Sequence, residues 1–251
     1  MFSRIERTRR SNHSIFLPQN YGSPFNDTAD HISGLGLARI DFERCAIAGA
    51  DHAPAPDRRH RGYARINLGI AFHGISDGEA RRITHRMYRG IGTGLAELIR
   101  MPGMDREYLE RHIRIEGLEH LAKSREETGL GCFLLTAHFG NWELLAHAYG
   151  VLVEPVQVVA RNRESGSLDR LITERRSVSG NGVIRRDRAA RAILTALRRK
   201  VHVGVLLDQD VPAGSGIFVP FFGVDASTTD GVARLALATG ANIHPGFLHR
   251  D

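Results

Sequence analysis

The strongest constraint on this chain lies between Gly131 and His249, where short apolar runs of strand length return with helical stretches between them. GCFLLTA (131–137), VQVVA (156–160) and VHVGVLL (201–207) are such runs, and NWELLAHAYGVLV, SLDRLITERRSV and residues 188–199 have helical patterning. IFVPFFG (217–223) is strand-like but interrupted by Pro220, TDGVARLALATG predicts a helix, and NIHPGFLH starts a further strand. Strands that alternate with helices of about 10 to 15 residues specify parallel pairs, because a parallel return needs a crossover. The predicted fold class is therefore α/β, a mixed and partly parallel sheet flanked by helices. Ligands of such sheets sit at the carboxyl ends of the strands, so the polar residues that follow each run are the candidates for function.

Upstream, S-D-G-E at 76–79 is a capping-box pattern, and Ile83, Met87, Ile91, Leu95 and Leu98 then recur at helical spacing up to Met101-Pro102-Gly103. The polar face of that helix carries Arg81, Arg82, Arg86 and Arg89, as a solvated surface would. A short helix at 105–112, a strand at IRIEG (113–117) and a helix at LEHLAKSREET follow. Residues 1–57 hold no sustained period and read as an irregular segment, with the folded domain at 58–251. The chain stops after HPGFLHRD, where the last strand wants a return element, so the domain is expected to be incomplete on its carboxyl side.

Thirty-four Lys and Arg against twenty-eight Asp and Glu give a net charge of +6, which favours nucleic acid, phosphorylated substrates or anionic lipid headgroups as partners. Two cysteines without C-x-x-C spacing support neither a disulfide scaffold nor a cysteine zinc site. No stretch reaches the roughly 18 apolar residues of a transmembrane helix, and the first twenty residues lack the apolar centre of a signal peptide.

Three constellations follow apolar runs. In LLTAHFGNWE, His138 closes a strand and Glu143 lies five positions on, beside the single tryptophan. The spacing alone decides nothing, since His52 and Asp57 repeat it. Within one helix the two side chains would splay by about 140°. With His138 in the preceding turn, Glu143 can reach back to the ring, fix its tautomer and raise the basicity of the other nitrogen. A strand cap followed by a favourable first-turn acid fits the same residues. In LLDQDVPAGSGIFVPFFG, Asp208, Gln209 and Asp210 close another strand toward the same cleft, or simply form a turn, and two carboxylates alone are weak support for a metal. In VVARNRESG, Arg161 and Arg163 stand where guanidinium groups clamp a phosphate, though exposed arginines are ordinary there. IRRDRAAR and LRRK are basic clusters that suit nucleic acid or an anionic membrane, but they lack interleaved aromatics and any nucleic-acid motif.

TAHFGNWELL, VVARNRESGSLDRLI, LLDQDVPAGSGIFVPFFG and TTDGVARLALATGANIHPGF, in this order, resemble the bacterial lipid A biosynthesis acyltransferases, the late lauroyl and myristoyl transferases related to glycerolipid acyltransferases. The resemblance runs from about Arg58 to the last residue. It implies transfer of a fatty acyl group from an acyl-carrier-protein or coenzyme A thioester to a hydroxyl of a phosphorylated glycolipid. By the resemblance His138 is the general base and Glu143 its orienting carboxylate. Arg161 becomes a phosphate contact and Asp208 a second cleft carboxylate. Asn141, Gln209 and Asp210 fall on the substrate side of the cleft, and Ile217 to Gly223, with Phe218, Pro220 and Phe221, shape the acyl site. The implied partners are the acyl carrier or coenzyme A thioester, the glycolipid acceptor and an anionic membrane surface, at the cytoplasmic face of the bacterial inner membrane. No nucleic acid, metal or cofactor beyond the thioester co-substrate is expected. Members usually begin with an apolar anchoring helix and continue past the position of Asp251, and this sequence departs from both habits.

Overall fold

The computed structural model describes residues 15–19, 55–160, 174–186, 189–212 and 214–250. Its order is β1 (Ile15–Gln19), α1 (Ala55–Ala71), α2 (Asp77–Arg100), α3 (Arg106–His112), α4 (Leu118–Thr128), β2 (Phe133–Thr136), α5 (Trp142–Leu152), β3 (Gln157–Ala160), β4 (Gly182–Arg185), α6 (Ala189–Arg198), β5 (Val203–Leu206), β6 (Ile217–Phe221), β7 (Val224–Thr228), α7 (Gly231–Thr239) and β8 (Ile243–Arg250). Six strands form one sheet in the order β1-β8-β2-β5-β3-β4. All its pairings are parallel, and the antiparallel component is confined to a separate ribbon of β6 and β7.

Alternating strand residues split the core between the two faces of the sheet. Leu134 and Val158 point to the cluster built by Leu109, Leu121, Leu144, Ala148 and Tyr149, under α3, α4 and α5. Phe133, Val203 and Val205 point to the opposite cluster with Ile193, Leu197 and Val232, under α6 and α7. The strands are thus covered on both faces, as a parallel sheet requires.

The helix starts follow their capping residues. Ser76 accepts from the Glu79 amide at 3.2 Å, Asp105 from Tyr108 at 2.8 Å, and Asn141 from Leu144 at 3.0 Å. Each satisfies an N–H that the first helical turn leaves open. The helices expected at 118–128, 188–199 and in TDGVARLALATG are present as α4, α6 and α7. Of SLDRLITERRSV, residues 174–178 are helical and the earlier part lies outside the described residues.

Three expectations need correction. IRIEG is not a strand: only Ile113 makes a bridge, Arg114 pairs with Glu116 at 2.9 Å, and Gly117 turns at φ 86° into α4. The stretch connects two helices, so its alternating pattern has no partner strand to satisfy. In the segment read as irregular, Ile15–Gln19 forms a strand beside β8, with Pro18 on the outermost strand, where a missing N–H is tolerated. GVIR (182–185) and VDAST (224–228) are strands that the sequence reading left unassigned.

Candidate functional site

The pairing of β2 with β5 positions the central pair of the site. The register runs Phe133↔Val203 through Thr136↔Leu206. Continued two residues past the strand ends, it sets His138 opposite Asp208. The Asp208 carboxylate accepts from the His138 backbone N–H at 2.8 Å and lies 2.8 Å from the ring Nδ1. An ionised carboxylate only accepts, so Nδ1 carries the proton and the neutral ring keeps its lone pair at Nε2. The Trp142 ring meets the imidazole edge-on, with centroids 4.7 Å apart. The side chains of His138 and Asp208 are each about one-third exposed, 36% and 33%.

The turn that carries His138 into α5 depends on Gly140, whose φ is +61° and whose absent Cβ would stand 2.3 Å from the Leu248 carbonyl oxygen. Any side chain there would both strain the backbone and push β8 away from the turn.

Glu143 does not reach back to His138, which corrects the expected pairing. It lies on the second residue of α5 and is gripped by both guanidinium arms of Arg176, one of them at 2.9 Å, with only 13% of its side chain exposed. The physical reason is competition between partners: Asp208 is already level with the ring by strand register, and a fork of two charge-assisted bonds holds Glu143 elsewhere.

A cavity of about 690 Å³ opens over the carboxyl ends of β2, β5, β3 and β4. His138, Trp142 and Glu143 form one wall, Arg176, Arg185 and Arg186 a basic one, and Val159, Ile193, Val232 and Leu235 an apolar one. A recess of about 70 Å³ lies beside it between the sheet and α5, lined by Leu134, Leu145, Ala146 and Val156 and sharing Trp142, Glu143 and Arg176.

The other expected residues divide. Gln209 and Asp210 line the cavity. Asn141 does not: it is 7% exposed, caps α5 and donates to Glu97 at 2.6 Å, so its bonding capacity is spent on the fold. Phe218, Pro220 and Phe221 lie on the β6–β7 ribbon, outside the cavity lining and largely exposed. Pro220, which speaks against a central strand, sits in this two-stranded ribbon apart from the six-stranded sheet. Arg161 and Arg163 fall outside the described residues. Arg176 escaped the sequence reading because ITERR looks like any charged helix end. Arg185 and Arg186 stand in the IRRDRAAR cluster, whose place beside the cavity only the β3–β4 pairing reveals.

A parallel sheet with a histidine, carboxylates and arginines around a cavity at its carboxyl edge defines an α/β protein with a ligand site in the usual place for the class. The family model for bacterial lipid A biosynthesis acyltransferases matches residues 41–251, and the chain belongs to that family. The match begins upstream of residue 58, where the sequence reading set the start of the domain. Among characterised relatives, the lipid A biosynthesis lauroyltransferase of Escherichia coli (strain K12) is 30% identical over 184 residues, 71% of this chain and 58% of that protein. A phosphatidylinositol mannoside acyltransferase of Mycolicibacterium smegmatis is 29% identical over 157 residues, 59% of this chain and 50% of that protein. The chain thus spans between one half and three fifths of these relatives' length. Among the described residues, no helix is long and apolar enough to cross a membrane.

Proposed function

We propose that this protein transfers a fatty acyl group from a thioester, on acyl carrier protein or coenzyme A, to a hydroxyl of a phosphate-bearing glycolipid of the lipid A precursor type. The observation that carries the reading is the Asp208 carboxylate on both the backbone N–H and the ring Nδ1 of His138, at a cavity with a basic wall, in a chain of this family.

In this mechanism the acceptor hydroxyl gives its proton to His138 Nε2 as its oxygen attacks the thioester carbonyl. The new C–O bond forms, the C–S bond breaks, and the proton on Nε2 leaves with the thiol. Asp208 holds the tautomer and stabilises the imidazolium while it exists. A thioester is already activated, so positioning and one proton relay suffice without an acyl-enzyme intermediate. Glu143 is a positioning residue that fixes Arg176, and Arg176, Arg185 and Arg186 suit phosphate oxygens of either substrate. The apolar wall and the adjoining recess suit the acyl chain. A mannoside acceptor is the second reading, favoured by the mannoside acyltransferases among the relatives. The peripheral site of action is the cytoplasmic face of the inner membrane.

The test supplies radiolabelled acyl carrier protein or coenzyme A thioester together with a lipid A precursor or a phosphatidylinositol mannoside. Labelled product on one acceptor, lost in His138→Ala, is the expected result. Product formation that survives His138→Ala defeats the base assignment, and no product with either acceptor and either donor defeats the activity.

A further inference from the structure

Glu97 breaks two rules of its place. It sits in the last turn of α2, where the helix dipole disfavours a negative charge, and it is buried, with 6% of the residue exposed. A carboxylate taken out of water is costly unless its lone pairs are occupied. Here Oε1 accepts from Arg250, the last residue of β8, and Oε2 accepts from the Asn141 carboxamide at 2.6 Å. Departures of this kind from local preference gather where a residue serves a site rather than its own element.

The contact lies behind the turn that carries His138. Residues 137–141 lead from β2 into α5, and Asn141 is the residue on which the helix starts. On one flank Gly140 lies against the Leu248 carbonyl of β8. On the other, Asn141 is tied to α2 through Glu97 and, at 3.4 Å, through the Gly94 carbonyl. The imidazole itself is held at Asp208, which belongs to the end of β5, and against Trp142, the first residue of α5. A shift in the start of α5 therefore moves His138 and Trp142 together, away from Asp208.

The Asn141 carboxamide is oriented from both sides. Its Oδ1 accepts from the Leu144 N–H at 3.0 Å, so its Nδ2 turns to α2 and requires an acceptor there. A carboxylate supplies that acceptor. An aspartate at 141, as good a helix cap as asparagine elsewhere, would set two carboxylates against each other. A buried ion pair adds little stability over apolar packing, so geometry is what the Arg250–Glu97 pair contributes here.

We propose that Glu97 is a positioning residue for His138: through the Asn141 carboxamide it fixes the start of α5, and with it the turn that holds the imidazole against Asp208. The inference rests on the acyltransferase reading for the reaction it supports, and one of its readouts does not use that reaction.

The test compares Asn141→Asp with the exchange variant Asn141→Asp, Glu97→Gln, in which amide and carboxylate trade places. Asn141→Asp keeps the cap and is expected to lower kcat roughly 10- to 100-fold at unchanged KM, as a displaced catalytic group does. The exchange variant recovers kcat to within about threefold. Rates are taken per folded molecule, from unfolding curves of the same samples. Proton NMR supplies the readout free of turnover: the Nδ1–H proton of His138, shared with a carboxylate, resonates far downfield and is assigned by its loss in His138→Ala. It broadens or disappears in Asn141→Asp and returns in the exchange variant. Glu97→Met with Arg250→Met removes both charges while filling their space, and loses the resonance at a retained unfolding midpoint, which keeps the test open where Asn141→Asp does not fold. A native kcat and a native His138 resonance in Asn141→Asp overturn the proposal. So does an exchange variant that regains stability without regaining the resonance. If the unmodified protein transfers no acyl group, the acyltransferase reading fails, while the resonance still decides whether Glu97 positions His138.

Discussion

The same two strands carry a histidine at each end, and the two have opposite lives. At the carboxyl ends of β2 and β5, His138 meets Asp208 beside the open cavity. At the amino ends, the Cys132 backbone N–H donates to His202 Nδ1 at 2.9 Å, and His202 Nε2 lies 3.0 Å from Glu154, which Arg125 also grips. Both pairs span one register, but His202 is 1% exposed and His138 about one-third exposed. Burial holds the His202 pKa below its ordinary 6.5, outweighing the neighbouring Glu154. The comparison teaches that a histidine–carboxylate contact is not by itself a catalytic signature. What separates the two is whether the second ring nitrogen is left to a cavity or, in a buried ring, is taken up by further protein groups, here Glu154 and Arg125.

Exchanging the perturbation tests that separation. His138→Ala is expected to lower acyl transfer by about 10³-fold or more with little change in the denaturant midpoint. Asp208→Asn follows, at about 10²-fold, because the amide can no longer hold Nδ1–H and the backbone N–H together. Steady-state rates alongside unfolding curves check both, and a collapse of stability in either variant would move His138 into the structural class. His202→Ala should do the reverse. It is expected to cost about 2–4 kcal/mol of stability, since it leaves the Cys132 N–H and the Arg125–Glu154 pair short of a buried partner, while turnover per folded molecule is kept. Asn141→Ala is smaller, about 1–2 kcal/mol, from loss of the α5 cap and the bond to Glu97.

The smallest effect is a pH dependence. A folded-state histidine pKa that is depressed means the unfolded chain binds a proton that the native state refuses. The contribution of His202, and of His147, whose pKa burial also lowers, is therefore fully present above about pH 6.5 and is lost as pH falls below it toward the folded values. Guanidinium midpoints taken at about pH 7.5, 6.5 and 5.5 should decline in that order, with a flatter decline in His202→Asn.

The architecture was legible because helix and strand periods are local. LEHLAKSREET carries its own helix, and the apolar runs at 131–137 and 201–207 carry their own strands. Pairing is not local. Nothing near His138 in sequence announces Asp208, and the nearby acid that looked like its partner, Glu143, is held by Arg176 from an element thirty-three residues away. The edge strand GVIR and the ribbon strand VDAST went unrecognised because each is short and half exposed, so neither has the apolar run that marks a central strand. Asn141 was read as a substrate contact from its neighbours in the motif, although the helix start it precedes is reason enough for its identity.

The shared register of β2 and β5 has a consequence for how such sites tolerate change in length. His138 finds Asp208 through strand pairing, so the chain between them, including β3, β4 and α6, can gain or lose residues in its surface connections without separating the pair. A single residue inserted between Thr136 and His138 has no such freedom. It would displace the ring relative to Asp208 and turn alternate side chains to the wrong face. The site is thus indifferent to long insertions and acutely sensitive to short ones, and length variation among homologous chains should gather in the connections and stop at these two strand ends.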